Sequence, residues 1–291
     1  MRESGYDDGQ APATAASGAA GVDAAADVRE VVEQVVEIDG FGFGILTRSA
    51  ASPSPVVLVL LNAGLTHRVG PFRGYVQMAR AVAARGTDVF RFDLPRVGDG
   101  PADGVPVDAM ITAVFDTLER ELEVRRFALG GICSAADMAW RIARGEPRVQ
   151  GVWLLDGFAH RGKWYRVARV QRALRRPPWE WPRRLLRNAR QRASGGPDIS
   201  VIRDWSDPAA FRDEAAALLA RGAKILAIYT GGVIPYLQHP RQLDDTFGRS
   251  RRHAGLSVDY LPAFDHTLMG QADRGAVAER LGDWLAGFAP A

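Results

Sequence analysis

The chain has 291 residues, of which 47% are hydrophobic and 24% are charged, as is usual for a soluble globular protein. Its single cysteine, Cys133, excludes an intramolecular disulfide and a cysteine-rich metal site. The N-terminus lacks the basic-then-apolar pattern of a signal peptide, and no apolar run is long enough to span a bilayer. We therefore expect a cytoplasmic protein without a membrane span.

The chain begins with residues rich in Ala, Gly, Asp and Ser, and residues 1–27 are predicted to be a disordered tail. Two apolar stretches, 31–38 and 41–46, then flank Asp39-Gly40, a two-residue hairpin signal. The continuous apolar run 56–61 is typical of a strand that is covered on both faces. The folded part is thus predicted to open with an antiparallel pair and to continue into a buried sheet.

Beyond residue 61, predicted strands and helices alternate, which indicates a mainly parallel sheet with right-handed crossovers. The predicted strands are 87–92, 127–130, 149–155, 223–229 and 256–261, and the predicted helices are 75–85, 111–124, 135–144 and 274–288. A helical, basic segment interrupts this alternation. The predicted organisation is an α/β core made of residues 28–157 and 219–291, with residues 158–218 inserted as a helical cap.

The stretch from Arg126 to Ala136 has the pattern of a nucleophile elbow, a sharp turn from a strand into a helix with one side chain at its tip. The tip residue has a strained backbone, so the residues two positions before and after it must be small. Gly131 and Ala135 satisfy this requirement around Cys133, whereas a tip at Ser134 places Ile132 in a crowded position. We predict that Cys133 is the nucleophile; the alternative is an inert buried cysteine.

The loop after the first buried strand, residues 62–70, contains a glycine turn that can aim a backbone N–H at the nucleophile. The N–H groups of Leu65 and Ser134 are predicted to form an oxyanion hole. The alternative is a glycine loop that only turns the chain. Asp93, which follows the next strand, is expected to bond loop amides and not to take part in the chemistry.

Two later loops supply candidates for a base and an acid, because ligands of such sheets lie at the carboxyl ends of the strands. His266 follows the last predicted strand and is the predicted base, while His67 is a second candidate because it neighbours the oxyanion loop. Asp156 follows the strand 149–155 and can orient an imidazole. The strand 223–229 is followed by Thr230-Gly-Gly, which offers no carboxylate.

The order of these motifs resembles the α/β-hydrolase superfamily over about residues 30–290. Within it, Leu61–Pro71 and Gly131–Ser134 resemble a bacterial subgroup known as exosortase-associated hydrolases, and a cysteine at the elbow is similar to dienelactone hydrolases and polyhydroxyalkanoate synthases. One departure is the missing acid after the penultimate strand. Some superfamily members carry the acid one strand earlier, which for this chain implies Asp156.

These assignments predict acyl transfer from an ester or thioester to Cys133, with His266 taking the thiol proton and Asp156 fixing the imidazole. The thioester formed can react with water, or with another acceptor as in an acyltransferase or cyclase. A catalytically silent, hydrolase-like binding protein is the other alternative, favoured by the missing late acid. No cofactor or metal is expected.

The predicted cap is strongly basic: residues 161–192 contain twelve Arg or Lys and a single acidic residue, Glu180. We predict that Trp164, Arg172, Arg175 and Arg176 bind the substrate or its carrier, such as coenzyme A or an acidic carrier protein. The alternative is a solvated face in an arginine-rich chain. Nucleic acid is not expected as a partner.

Overall fold

The computed structural model describes residues 31–49, 54–102, 104–175, 177, 179, 203, 205–233 and 236–288. The predicted tail, residues 1–27, lies outside these ranges, as does Arg176. Within the described ranges, none of the helices combines the length and the apolar character that a bilayer crossing requires.

The first two strands form the predicted hairpin. Strands β1 (Val31–Ile38) and β2 (Gly42–Ser49) pair antiparallel. Between them the Phe41 N–H donates to the Ile38 carbonyl over 2.8 Å, and Gly40 takes a φ of +74°. A side chain at such a φ is strained, so glycine suits this turn. The prediction of an antiparallel opening is confirmed.

Six further strands complete one sheet with the order β1-β2-β4-β3-β5-β6-β7-β8. They are β3 (Val57–Leu60), β4 (Val89–Phe92), β5 (Phe127–Ile132), β6 (Val149–Leu155), β7 (Lys224–Thr230) and β8 (Leu256–Leu261). β2 pairs antiparallel with β4, and the strands from β4 to β8 are parallel. The predicted α/β class, with a mostly parallel sheet, is confirmed.

Helices cover both faces of this sheet, which explains why β3 is buried throughout. They are α1 (Gly74–Ala84), α2 (Val107–Leu122), α3 (Ser134–Gly145), α4 (Lys163–Leu174), α5 (Pro208–Ala220), α6 (Gln242–Phe247) and α7 (Gln271–Ala286). Val57 and Val59 face the core that contains α2, α3, α5 and α6, whereas Leu58 and Leu60 face α1 and α7. The sequence did not predict α6, whose six residues are too few to show a helical period.

The two helices between β6 and β7 differ in how they contact the core. α4 buries only Ala168. α5 runs past the predicted cap boundary at residue 218 and buries Phe211, Ala215, Leu218 and Leu219. The Phe211 ring stacks on Trp140 of α3, with 4.3 Å between the ring centroids. α5 is therefore a core crossover helix, and the cap boundaries stay a prediction.

At the carboxyl edge of the sheet, backbone hydrogen bonds join the residues that follow one strand to the neighbouring strand or loop. The Cys133 N–H donates to the Leu155 carbonyl, and the Asp156 N–H donates to the Ile228 carbonyl, each over 2.8 Å. The Gly231 N–H in turn donates to the Phe264 carbonyl over 3.0 Å. The loops after β5, β6, β7 and β8 are thus held side by side.

Candidate active site

The turn from β5 into α3 has its tip at Cys133, where φ is 61° and ψ is −117°. Gly131 leaves no room for a side chain, since an added Cβ would lie 2.5 Å from Ala135 Cβ and 2.7 Å from the Tyr75 hydroxyl oxygen. That hydroxyl accepts the Ile132 N–H over 2.9 Å. Small residues therefore flank Cys133 because the strand and the helix almost touch there, as the elbow pattern requires.

The Cys133 side chain is partly buried and is surrounded by groups that favour its thiolate. Burial raises the pKa of the thiol. A hydrogen bond with His266, the positive charge of Arg203 and the N–H of Ser134 act against burial, and the net effect is a lowered pKa. A thiol with a lowered pKa is a better nucleophile near neutral pH than an ordinary buried cysteine.

Asp156 lies directly after β6, is fully buried and has a φ of 56°. Its Oδ2 atom is 2.7 Å from His266 Nδ1. The same carboxylate accepts the Thr230 N–H over 2.6 Å and the Thr230 hydroxyl over 2.7 Å. A buried carboxylate requires partners of this kind, and together they fix its orientation toward His266.

Thr230 is a site residue that sequence reasoning missed. It ends β7, where the expected acid is absent, and it provides two donors to the carboxylate from β6. The glycines that follow allow a close approach of two loops. A Cβ on Gly231 would lie 2.0 Å from the Pro262 carbonyl oxygen, and a Cβ on Gly232 would lie 2.5 Å from the backbone nitrogen of His266. The Thr-Gly-Gly sequence was the available signal.

His266 is the group that both Asp156 and Cys133 contact. Its pKa is raised to about 9, first by the hydrogen bond to Asp156 and then by the hydrogen bond to the Cys133 thiol, against the effect of burial. The imidazole therefore accepts a proton readily while it faces the sulfur. This geometry is that of a general base held by a carboxylate.

The loop after β3 meets the elbow through Gly64. The Gly64 N–H donates to the Ser134 hydroxyl over 2.9 Å, within a turn that the Thr66 N–H closes onto Ala63. Leu65, the predicted donor, is the next residue in this turn, and the residue is 86% exposed. Gly64 is thus a second candidate for the oxyanion hole, and the role of Leu65 stays a prediction.

Asp93 serves the loops, as its position suggested. Its carboxylate accepts the Arg68 N–H over 2.6 Å and the Asn62 amide over 2.9 Å. His67 Nε2 lies 3.1 Å from Asp93 Oδ2 and 3.3 Å from Asp99 Oδ2, so His67 belongs to this group. The three side chains have the spacing of metal ligands, but the Arg68 guanidinium already bonds both carboxylates.

Of the cap residues named from sequence, Trp164 and Arg172 lie on α4 and Arg175 directly follows it. Trp164 stacks on His239 with 4.9 Å between the ring centroids, and the Arg241 guanidinium lies 4.8 Å from the Trp164 ring. Arg172 is partly exposed and Arg175 is exposed. The structure therefore gives Trp164 a packing role against two basic side chains, whereas the arginines of α4 face solvent.

A cavity of about 200 Å³ lies between α3 and the chain that leads into α5. Ser134, Asp137, Phe158, Arg203 and Trp205 are among the residues that line it. Burial raises the pKa of Asp137 to about 6, although the charge of Arg203 acts in the opposite direction. This cavity begins beside the elbow, since Ser134 is one of the residues that line it.

No known protein family has a sequence model that matches this chain. Likewise, no curated protein matches it by sequence.

Solved structures do match. An esterase from Pyrococcus furiosus has a TM-score of 0.55 at 12% identity, over 89% of this chain and 91% of that one. The esterase domain of a Rhodothermus marinus protein has a TM-score of 0.52 at 14% identity, over 88% and 97%. A dienelactone hydrolase from Anabaena variabilis has a TM-score of 0.52 at 11% identity, over 90% and 99%. Together with the sheet order and the elbow, these matches show that the chain has the α/β-hydrolase fold.

Proposed function

We propose that this protein hydrolyses ester or thioester acyl groups through Cys133, His266 and Asp156. One observation carries the proposal: His266 Nδ1 lies 2.7 Å from an oxygen of the buried Asp156 carboxylate, and the Cys133 thiol interacts with the same imidazole and raises its pKa. A structural histidine has no need of both contacts. The arrangement matches what nucleophilic catalysis requires, namely a nucleophile, a base and a group that orients the base.

The proposed reaction has two halves. The Cys133 thiol gives its proton to His266, and its sulfur bonds to the acyl carbon. The tetrahedral intermediate then collapses, and the leaving alcohol or thiol departs with the proton from the imidazolium. In the second half, His266 takes a proton from water as the water oxygen attacks the thioester. The carboxylic acid leaves, and the Cys133 sulfur regains the proton.

The developing oxyanion requires N–H donors. The Ser134 N–H helps to lower the pKa of the Cys133 thiol, and it lies at the N-terminus of α3, where the helix dipole favours negative charge. The second donor is proposed to come from the loop after β3, from Leu65 or from Gly64. Two such donors are the usual oxyanion hole at an elbow.

The names of the structural neighbours support the same class of reaction. Two of them are esterases and one is a dienelactone hydrolase. Because each is far below 25% identical to this chain, the choice of an ester or a thioester rests on the site itself. A thioester intermediate at Cys133 also supports an acyltransferase or cyclase as the second candidate, since amines and thiols attack thioesters as readily as water does.

The alternative of a silent binding protein was favoured by the missing late acid. The 2.7 Å contact between Asp156 and His266 Nδ1 supports the enzyme over this alternative, because it offers an acid from the end of β6 for the proposed triad. The proposed partner is a small acyl substrate, with coenzyme A or an acidic carrier protein as the group that α4 would receive. A cytoplasmic location also remains a prediction.

Trapping the acyl-enzyme tests the proposal. The chain is incubated with p-nitrophenyl acetate or acetyl-coenzyme A and analysed by intact mass after acid quench. Because Cys133 is the single cysteine, an acetyl adduct on a cysteine assigns the site without ambiguity. We expect the adduct in the wild type and its absence in Cys133→Ala. Turnover that survives in Cys133→Ala, or an adduct that forms in that variant at the wild-type level, would contradict the proposal.

A further inference from the structure

The Arg203 side chain is buried next to the elbow and is only 6% exposed. Its Nε donates to Asp137 Oδ2 over 2.6 Å, and its Nη1 donates to the Tyr236 hydroxyl over 3.0 Å. The guanidinium also lies 4.8 Å from the Trp205 ring. A carboxylate, a hydroxyl and an aromatic face thus hold this buried cation in one orientation.

The remaining end of the guanidinium joins the two loops that carry the proposed nucleophile and acid. Its Nη2 donates to the Cys133 carbonyl over 2.8 Å and to the Asp156 carbonyl over 3.0 Å. The Tyr236 hydroxyl donates to the same Asp156 carbonyl over 2.8 Å. One nitrogen atom therefore bridges the backbone of both residues.

Those two carbonyls belong to residues whose backbone conformation is unfavourable, because their φ angles are positive. Cys133 and Asp156 have φ values of 61° and 56°, a region that residues other than glycine seldom adopt. Such conformations persist only where the surrounding structure constrains them. A rigid guanidinium fork that bonds both carbonyls supplies such a constraint.

We propose that Arg203 is a positioning residue, which fixes the backbone of Cys133 and of Asp156 relative to each other so that both side chains meet His266. The inference rests on the proposed roles of these three residues. The positive charge of Arg203 acts on the sulfur as well, in the direction that favours the thiolate. The other titratable groups that interact with the sulfur are His266, Tyr75 and Tyr236.

The chain contains a matched control. Arg221 bonds backbone carbonyls at the other end of α3 and β6: its Nη2 lies 2.6 Å from the Ala143 carbonyl oxygen and 3.0 Å from that of Val149. Arg221 thus joins the same two elements as Arg203, but far from the elbow. Arg221 is exposed whereas Arg203 is buried, but replacing either arginine with methionine removes hydrogen bonds to two backbone carbonyls, and only the carbonyls that Arg203 bonds lie at the proposed site.

The experiment compares Arg203→Met and Arg221→Met by the rate at which iodoacetamide alkylates Cys133 between pH 5 and pH 10. We expect Arg203→Met to move the midpoint of the profile upward and to slow alkylation at pH 7 about tenfold. On p-nitrophenyl acetate, kcat should fall about tenfold or more, with KM changed less than about threefold. Arg221→Met should keep the wild-type profile and kcat.

Two results overturn the proposal: a wild-type alkylation profile in Arg203→Met, or the same shift in Arg221→Met. Alkylation requires no turnover, so a wild type that hydrolyses nothing would contradict the proposed function and leave this readout intact. If Arg203→Met does not fold, Arg203→Lys and Tyr236→Phe replace it. Each removes part of the network and should give a smaller shift in the same direction, and wild-type profiles in both would again overturn the proposal.

Discussion

The carboxyl edge of the sheet and helix α4 represent two kinds of surface on one molecule. At the edge, Asp156 is fully buried and accepts three hydrogen bonds. On α4 only Ala168 is buried, and the arginines face solvent. A buried polar group must be matched by its partners, whereas exposed charges act through water and are screened by salt. On the proposed function, changes at the edge should therefore alter the chemistry, whereas changes on α4 should alter only the choice of substrate.

The largest expected effect comes from the edge, at the tip of the elbow. Cys133→Ala should lower kcat by about 10⁴-fold or more, because no other group replaces the nucleophile. Ser134→Ala should lower it less than about tenfold, since the backbone N–H of residue 134 remains. Steady-state hydrolysis of p-nitrophenyl acetate measures both. If Ser134→Ala is the inactive variant, the nucleophile has been assigned to the wrong residue.

The next effect concerns the carboxylate that holds the base. Asp156→Asn should lower kcat by about 10²- to 10⁴-fold, because the amide no longer stabilises the imidazolium. Asp265→Asn is the matched control: this acid neighbours His266 in sequence, but its carboxylate accepts the Thr267 and Met269 N–H groups, each over 2.8 Å. Equal losses of kcat in the two variants would show that Asp156 supports the folding of the loops and has no specific effect on His266.

The pH profile gives a smaller effect with a definite sign. The hydrogen bond with His266 and the charge of Arg203 lower the pKa of the Cys133 thiol despite burial, so alkylation of the folded chain should reach half its maximum at a lower pH than in urea. The hydrogen bond to Asp156 is the largest of the interactions that raise the pKa of His266 to about 9, and the Cys133 thiol contributes as well. Asp156→Asn should lower the pKa of His266, so that less positive charge remains beside the sulfur. The pH at which alkylation is half-maximal should then rise by about one unit. A downward movement would contradict the proposed pairing.

Much of the fold follows from sequence patterns that physical constraints make unambiguous. The hairpin turn at Asp39-Gly40 and the alternation of apolar strands with helices predicted the sheet. α6 was missed because six residues show no period, and the boundary at residue 218 lies inside α5 because the basic composition of the cap gives no sign of where core packing resumes. The inserted cap and its bounds therefore stay a prediction.

The site could be predicted where one residue satisfies a local rule. Cys133 is flanked by small residues because β5 and α3 nearly touch, and this is visible in the sequence. The contributions of Thr230 and Arg203 could not be read in this way, because they depend on contacts between residues 74 and 70 positions apart. An arginine in an arginine-rich chain carries no distinguishing local signal, and the Thr-Gly-Gly sequence does not show which carboxylate Thr230 contacts.

The smallest expected effect tests the α4 side of the comparison. Reversing Arg172 and Arg175 to Glu should raise KM for acetyl-coenzyme A a few-fold at low salt, because an anionic carrier loses attraction to α4. KM for p-nitrophenyl acetate should stay unchanged, since the variant leaves the sheet edge intact. Salt should reproduce the same selective loss in the wild type, as screening shortens the reach of exposed charges to about 10 Å at 0.1 M.

The control for this variant keeps the change in charge and moves it elsewhere. Arg249 and Arg252 are exposed just before β8, at the amino edge of the sheet, and their reversal to Glu should leave both KM values at the wild-type level. Equal increases from both pairs would mean that net charge alone attracts the carrier. No increase from either pair would mean that the arginines of α4 are a solvated face, and the carrier would have to be recognised by other residues.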